Sequence, residues 1–421
     1  MARSWIGTRA GRPCPSGAPG GASISSCRPQ GSACHPFGLS KVTEVAGPEI
    51  CEKKGLETPL GGRRGGRVSA MICHFAAWPR DGCAPSRRPS TKATPPLRIL
   101  VANPRGFCAG VDRAIKIVDM ALEVFEPPVY VRREIVHNSH VVGDFRAKGV
   151  IFVDELEEVP NGNVAILSAH GVAPAVFEQA KARSLRLIDA TCPLVTKVHL
   201  EVHRFVRQGY HIVLIGHAGH DEVIGTMGEA PGDITLVENV DQARTIDLSR
   251  HERLMVLTQT TLGVDDTRGV IEALRERYPA LDLPPTDDVC YATQNRQDAV
   301  KAMTDRGIDL LLVVGSSNSS NAARLVEVGA SRGVRGFLID GPAQIESSWL
   351  DGVSVVGVTA GASTPEHVIQ GVIAHVQSRG GGDVETITTV EEDTVFQAPI
   401  ELRIAIEEKR GARAETLKTE G

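Results

Sequence analysis

Nine cysteines occur in the 421-residue chain, and three of them, Cys108, Cys192 and Cys290, stand apart from the other six. Each marks the end of a short β-branched run and the start of an amphipathic stretch. Cys108 closes Asn103-Pro104-Arg105-Gly106-Phe107, Cys192 sits between Thr191 and Pro193, and Cys290 follows Asp287-Asp288-Val289. A thiol at a helix start has its thiolate favoured by free backbone amides and the helix dipole. One such cysteine is ordinarily a small buried hydrophobe, but three at equivalent junctions make a ligand set. Structural zinc takes four ligands, commonly two of them close in sequence, and no close pair follows residue 96. A [4Fe–4S] cluster on three cysteines uses all of them and leaves one iron open.

A second group of residues suits an anion. His137, His170 and His220 fall at expected carboxyl ends of strands, as a neutral-to-cationic donor set. Ser319, Ser320 and Asn321, with Ser363 downstream, offer hydroxyls, an amide and helix-start N–H groups. Ser and Asn there also read as ordinary helix caps, and both roles can hold together. Glu222 lies beside His220 in the glycine-rich histidine segment Gly216 to Gly228; raised by burial, it is a candidate general acid, and otherwise an ordinary helix-start glutamate. His199 and His203, one turn apart, read as a solvated helix face. No P-loop or Rossmann glycine fingerprint follows a strand, which argues against an NTPase or a nicotinamide enzyme.

The elements that must position these residues alternate from Leu97 onward. Apolar strand-length runs such as Arg98–Ala102, Val164–Ser168, His211–Ile215, Leu254–Leu257 and Leu310–Val314 are separated by helical stretches. This pattern predicts an α/β fold with mostly parallel sheets covered on both faces. Ligands in such sheets bind outside the carboxyl ends of strands. The cysteine spacing suggests three similar modules, 97–192, 193–289 and 290–377, in a pseudo-three-fold arrangement around one centre. The tail 378–421 is expected to wrap the surface.

Charge divides the chain. Residues 1–96 hold 14 Lys and Arg against 5 Asp and Glu, a balance of +9, whereas 97–421 hold 32 against 46, or −14. An acidic body with 4% aromatics is a poor nucleic-acid surface. No apolar run reaches the ~18 residues of a membrane span. The basic leader, rich in Gly, Pro and Arg, is expected to be disordered. It is read as a start placed too far upstream, and without a secretory signal the expected location is cytoplasmic.

With those segments in place, the chain resembles the 4-hydroxy-3-methylbut-2-enyl diphosphate reductase (LytB) family. The matching stretches are ANPRGFCAGVDRAI, EIVHN, SAHGV, DATCPLVTKVH, GHAGHDEV, TQTTL, CYATQNRQ, SSNSSN and TAGAS, spread over residues 97 to about 403. The resemblance implies the terminal step of the methylerythritol phosphate route to isoprenoids, reduction of an allylic diphosphate to isopentenyl and dimethylallyl diphosphate. It implies one [4Fe–4S] cluster per chain on Cys108, Cys192 and Cys290, with one open iron, and an external flavodoxin or ferredoxin as electron donor. His137, His170, His220, Ser319, Ser320, Asn321 and Ser363 would hold the diphosphate. Glu222 would transfer protons, Thr260 would bond the hydroxyl end and Gln259 would support it. Asp221 and Ser317 depart from the family pattern, standing where proline and lysine are common.

Overall fold

A computed structural model describes residues 96–419. The expected disorder of the leader and its six cysteines lie outside them. Twelve strands are present among the described residues, in three sheets whose pairs are all parallel. In chain order they are β1 (Arg98–Asn103), β2 (Val129–Arg132), β3 (Val150–Val153), β4 (Val164–Leu167), β5 (Arg186–Asp189) and β6 (His211–Ile215). There follow β7 (Ile234–Val237), β8 (Leu254–Thr258), β9 (Leu310–Val314), β10 (Arg335–Ile339), β11 (Val355–Ala360) and β12 (Val384–Thr388). The sheets run β3-β2-β4-β5, β7-β6-β8 and β10-β9-β11-β1-β12. The expected α/β class with parallel sheets is what the chain adopts.

The period-2 alternation of strands supplies each sheet with a core on both faces. In the five-stranded sheet Ile99, Val101, Leu310 and Leu312 pack on one side. Leu100, Ala102, Leu311 and Val313 pack on the other. The three-stranded sheet divides likewise, with Val213, Ile215 and Val256 opposite Ile212, Leu214 and Leu257. Every residue of β6, β8 and β9 is buried. Burying such a side chain is worth about 1.5–3 kcal/mol, which is why these strands read as unbroken apolar runs.

The sheets do not follow the sequence segments drawn above. Strand β1, in the first segment, pairs with β11 and β12 at the far end of the chain. The first segment thus lends its opening strand to the third sheet, because a parallel neighbour can come from any distance along the chain. The last helix of the third segment also runs on, over Glu366–Gly380. Beyond it the tail does not merely wrap the surface: β12 joins the sheet edge, and the segment after it threads back over the first helix. Arg113 donates to the Gln397 carbonyl at 2.8 Å, and Leu402 is buried in the core beneath helix Ala109–Val124. No helix among the described residues is long and apolar enough to cross a membrane.

Candidate active site

The three cysteines each cap a helix: Cys108 before Ala109–Val124, Cys192 before Pro193–Arg207 and Cys290 before Tyr291–Asp305. Each backbone N–H is tied to the carbonyl of a residue two past a strand end. Cys108 bonds Ala362 after β11 at 3.1 Å, Cys192 bonds Ala169 after β4 at 2.9 Å, and Cys290 bonds Thr260 after β8 at 2.9 Å. One local device, used three times, therefore aims three thiols at one centre. Gly110 shows how close they come. A Cβ there would lie 2.6 Å from Cys192 Sγ and 3.8 Å from Cys108 Sγ.

These thiols are free. Burial pushes Cys192 up to about 11 and Cys290 up to about 12. The neighbouring Cys108 sulfur adds to both shifts, while the helix-start amides of Leu194, Val195, Ala292 and Thr293 oppose them. The thiolates of Cys192 and Cys290 are strongly disfavoured by themselves in such a place. A cationic metal centre is what would neutralise them, so the donor set fits an iron–sulfur cluster.

Twelve of the residues singled out from the sequence line one cavity of about 100 Å³. The cysteines share it with His137, His170 and His220, with Glu222 and Thr260, and with Ser319, Ser320, Asn321 and Ser363. Apolar groups, among them Val111, Val136, Leu194 and Val195, complete the wall and were not foreseen. Gln259 stands outside the lining. It is buried, accepts from the His217 N–H at 3.0 Å and donates to Thr261 Oγ1 at 2.7 Å.

The histidines cluster: the His137 and His170 rings stack 4.0 Å apart, and His220 meets both edge-on. Burial, then the neighbouring imidazoles, holds His170 well below the usual histidine range. Burial followed by His137 brings His220 down to about 4. His220 Nδ1 accepts the Glu222 N–H at 3.2 Å, so its own proton sits on Nε2 and faces outward as a donor. His137 Nδ1 is 3.1 Å from Glu134 Oε2, and Asn318 donates to the same oxygen at 2.8 Å. Glu134 lies three residues before His137, a spacing that carried no signal without the turn that folds it back.

Glu222 is 3% exposed. Its Oε1 accepts the Thr260 N–H at 2.7 Å and its Oε2 the Thr260 hydroxyl at 3.1 Å. Burial nonetheless raises it to about 7, against the Thr260 N–H and hydroxyl and the His199 imidazole. Glu222 occupies the second position of its helix, Asp221–Glu229, as Asn321 does in Ser320–Ser331. Asn321 Oδ1 accepts the Ala362 N–H at 2.9 Å. The carboxylate and the amide are thus counterparts, each gripping the loop whose carbonyl holds a cysteine.

The hydroxyls are partly committed. Ser319 Oγ accepts the Ala322 N–H and keeps its proton for a ligand, so cap and cradle coexist. Ser320 Oγ accepts from Thr261 Oγ1 at 3.3 Å. Ser363 donates to the His137 carbonyl at 2.9 Å and must turn to donate elsewhere. His199 and His203 are not a solvated face: both grip Glu229, at 2.7 Å each. That carboxylate, i+7 from Glu222, joins two helices, a partnership invisible along the chain.

Known proteins resemble this chain. The family model described as LytB protein matches residues 99–377. A 4-hydroxy-3-methylbut-2-enyl diphosphate reductase of Acidothermus cellulolyticus is 55% identical over 313 residues, 73% of this chain and 92% of the relative. The enzyme of that name from Psychromonas ingrahamii is 54% identical over 311 residues, 73% of this chain and 99% of the relative. The solved E-1-hydroxy-2-methyl-but-2-enyl-4-diphosphate reductase from Plasmodium falciparum superposes with a TM-score of 0.73 at 37% identity, covering 75% of this chain and all of that one. The chain belongs to the LytB family of 4-hydroxy-3-methylbut-2-enyl diphosphate reductases.

Proposed function

We propose that this cavity reductively removes the allylic hydroxyl of 4-hydroxy-3-methylbut-2-enyl diphosphate, giving isopentenyl and dimethylallyl diphosphate. The observation that carries the reading is the convergence of all twelve chemically equipped residues, drawn from loops of three separate sheets, on one cavity. Cys108, Cys192 and Cys290 would hold a [4Fe–4S] cluster with one open iron. When bound, that cluster supplies single electrons and a Lewis-acidic iron beside the hydroxyl.

The protein's own part is binding, orientation and proton supply. His137, His170 and His220 would present N–H donors to the diphosphate, joined by Ser319, Ser320, Asn321 and, once turned, Ser363. Glu222, poised near neutrality, would give its proton to the departing hydroxyl, which leaves as water. Thr260 holds the Glu222 carboxylate by both N–H and O–H, fixing the direction of that transfer. The apolar part of the wall, Val111, Val136, Leu194 and Val195, would lower the number of waters competing for protons. Two electrons and two protons balance the reaction, and the electrons would come from an external flavodoxin or ferredoxin.

Anaerobic purification tests the proposal. A brown protein with broad absorption near ~400 nm and several irons per chain is expected. A colourless protein carrying zinc would leave a diphosphate-binding module without redox chemistry.

A further inference from the structure

The diphosphate cradle is rich in donors and poor in formal charge. Burial keeps His170 and His220 below the usual histidine range, and the serines and Asn321 are neutral. Yet the ligand would carry about three negative charges into a body of net negative charge. A cation at the rim would resolve that mismatch.

An outer cavity of about 420 Å³ adjoins the cradle, sharing His137 with it. Arg133 and Arg146 are the cations of its lining. Arg133, 29% exposed, donates to Asp221 Oδ1 and, at 3.4 Å, to Glu155 Oε1. Glu155 is itself held by Arg132 at 2.6 Å. The Arg133 backbone lies in the left-handed region, φ 57°, rare for a side chain of this size. From there its side chain crosses to the helix that carries Glu222.

Asp221 is placed unusually for a carboxylate. One of its oxygens and a nitrogen from each of His137 and His170 all lie within 4.8 Å of one another. His170 Nδ1 is buried without a hydrogen-bond partner. A carboxylate oxygen therefore stands beside two imidazoles and under an arginine, on the outer-cavity side of His137.

We infer that Arg133 is a further diphosphate-recognition residue, and that Asp221 is the resident anion whose place the substrate's phosphate takes. The inference rests on the diphosphate reading of the cavity. The guanidinium fork matches a phosphate bidentately, and a phosphate's higher charge outbids a single carboxylate. Once displaced, Asp221 keeps a favourable position in the first turn of its helix, near the free amides. No bond is made or broken; one ion pair exchanges for another. His137, His170 and Asp221 also have spacing suited to a divalent cation, but the Arg133 charge on Asp221 opposes a second cation there.

Calorimetric titration of the anaerobic holoenzyme with inorganic pyrophosphate tests this. Arg133→Gln should weaken binding about tenfold, the loss of one charge-assisted contact. Asp221→Asn should tighten it several-fold and should not unpick the helix start. Opposite signs cannot both arise from misfolding. In turnover, R133Q should raise KM and leave kcat near the parent value, since Arg133 stands away from the allylic end. Unchanged affinity in R133Q, or weaker binding in D221N, overturns the inference. So does a change in wild-type affinity on adding EDTA, which would place a metal at the three groups. His170→Ala separates the levels. Loss of pyrophosphate binding in H170A with no effect of R133Q rejects only the arginine's role, whereas full binding in H170A rejects the diphosphate reading beneath it.

Discussion

Glu222 is surrounded by groups that stabilise its charge, and burial still wins. Two hydrogen bonds from Thr260 pull its proton affinity down, but loss of water around a 3%-exposed carboxyl leaves it near 7. A group raised this way holds its proton below about 7 and sheds it above, so kcat should fall as pH rises through neutrality. Glu222→Gln should keep the cluster's absorption and lose at least ~100-fold in turnover, the usual worth of a positioned acid. Turnover equal to the parent's would remove the proton role. The histidines make a second prediction with a definite sign. His220 is held near 4 in the free protein, and a bound anion raises it. Binding therefore takes up protons in the window just above 4, and there the imidazole's contribution to pyrophosphate affinity grows as pH falls. Titration in buffers of different ionisation enthalpy measures that uptake. Proton uptake at pH 5, corrected for the ligand's own ionisation, that comes out at zero would show that the imidazoles serve only as neutral donors.

At the scale of elements, glycines decide how close the parts come. The turn after β4 lies directly on the helix that carries Glu222. A Cβ on Gly225 would meet the Gly171 backbone at 3.2 Å, and one on Gly228 would meet Ala173 Cβ at 2.3 Å. Those two glycines weaken the helix by about 1 kcal/mol each relative to alanine, a cost that the close packing against Gly171 and Ala173 requires. Gly228→Ala should cost about 1–3 kcal/mol of stability through overpacking, read by urea denaturation of the anaerobic protein. Gly110→Ala is the sharper test. Its methyl would stand 2.6 Å from Cys192 Sγ, so iron content per chain should drop while the apoprotein still folds. Full iron loading in G110A would mean that the sulfurs do not converge as described.

Across the whole molecule, the strap after β12 binds the two ends of the described chain together. Arg296 is completely buried, donating to the Gly106 carbonyl at 2.8 Å and to Glu392 at 3.1 Å. Asn295 donates to the same carboxylate at 3.0 Å. Gly106 belongs to the loop that ends in Cys108, so the strap braces that thiol from behind. Glu392→Ala leaves a buried guanidinium with carbonyl partners only and should cost about 3 kcal/mol, the scale for breaking a buried pair. Denaturant midpoint and the rate of iron loss in air report the effect together. An unchanged midpoint would make the pair dispensable.

Sequence by itself determined the chemistry and the architecture's class. Apolar runs of strand length had to be buried on two faces, which requires parallel sheets with helices around them. Cysteines, histidines, Glu222 and the serine-rich turn all followed those runs, and strand ends are where such sheets place ligands. What the tertiary structure decided was partnership over long distances. β1 pairs with a strand more than two hundred residues away, Arg296 with Glu392, Arg133 with Asp221, and His199 with Glu229. None of these leaves a periodic trace, because a charged side chain in a polar turn looks the same whether it faces water or a partner. The burial that brings Glu222 to about 7 and His220 to about 4 belongs to the same class. The residues came from the chain, but their proton affinities come from the water that folding removes.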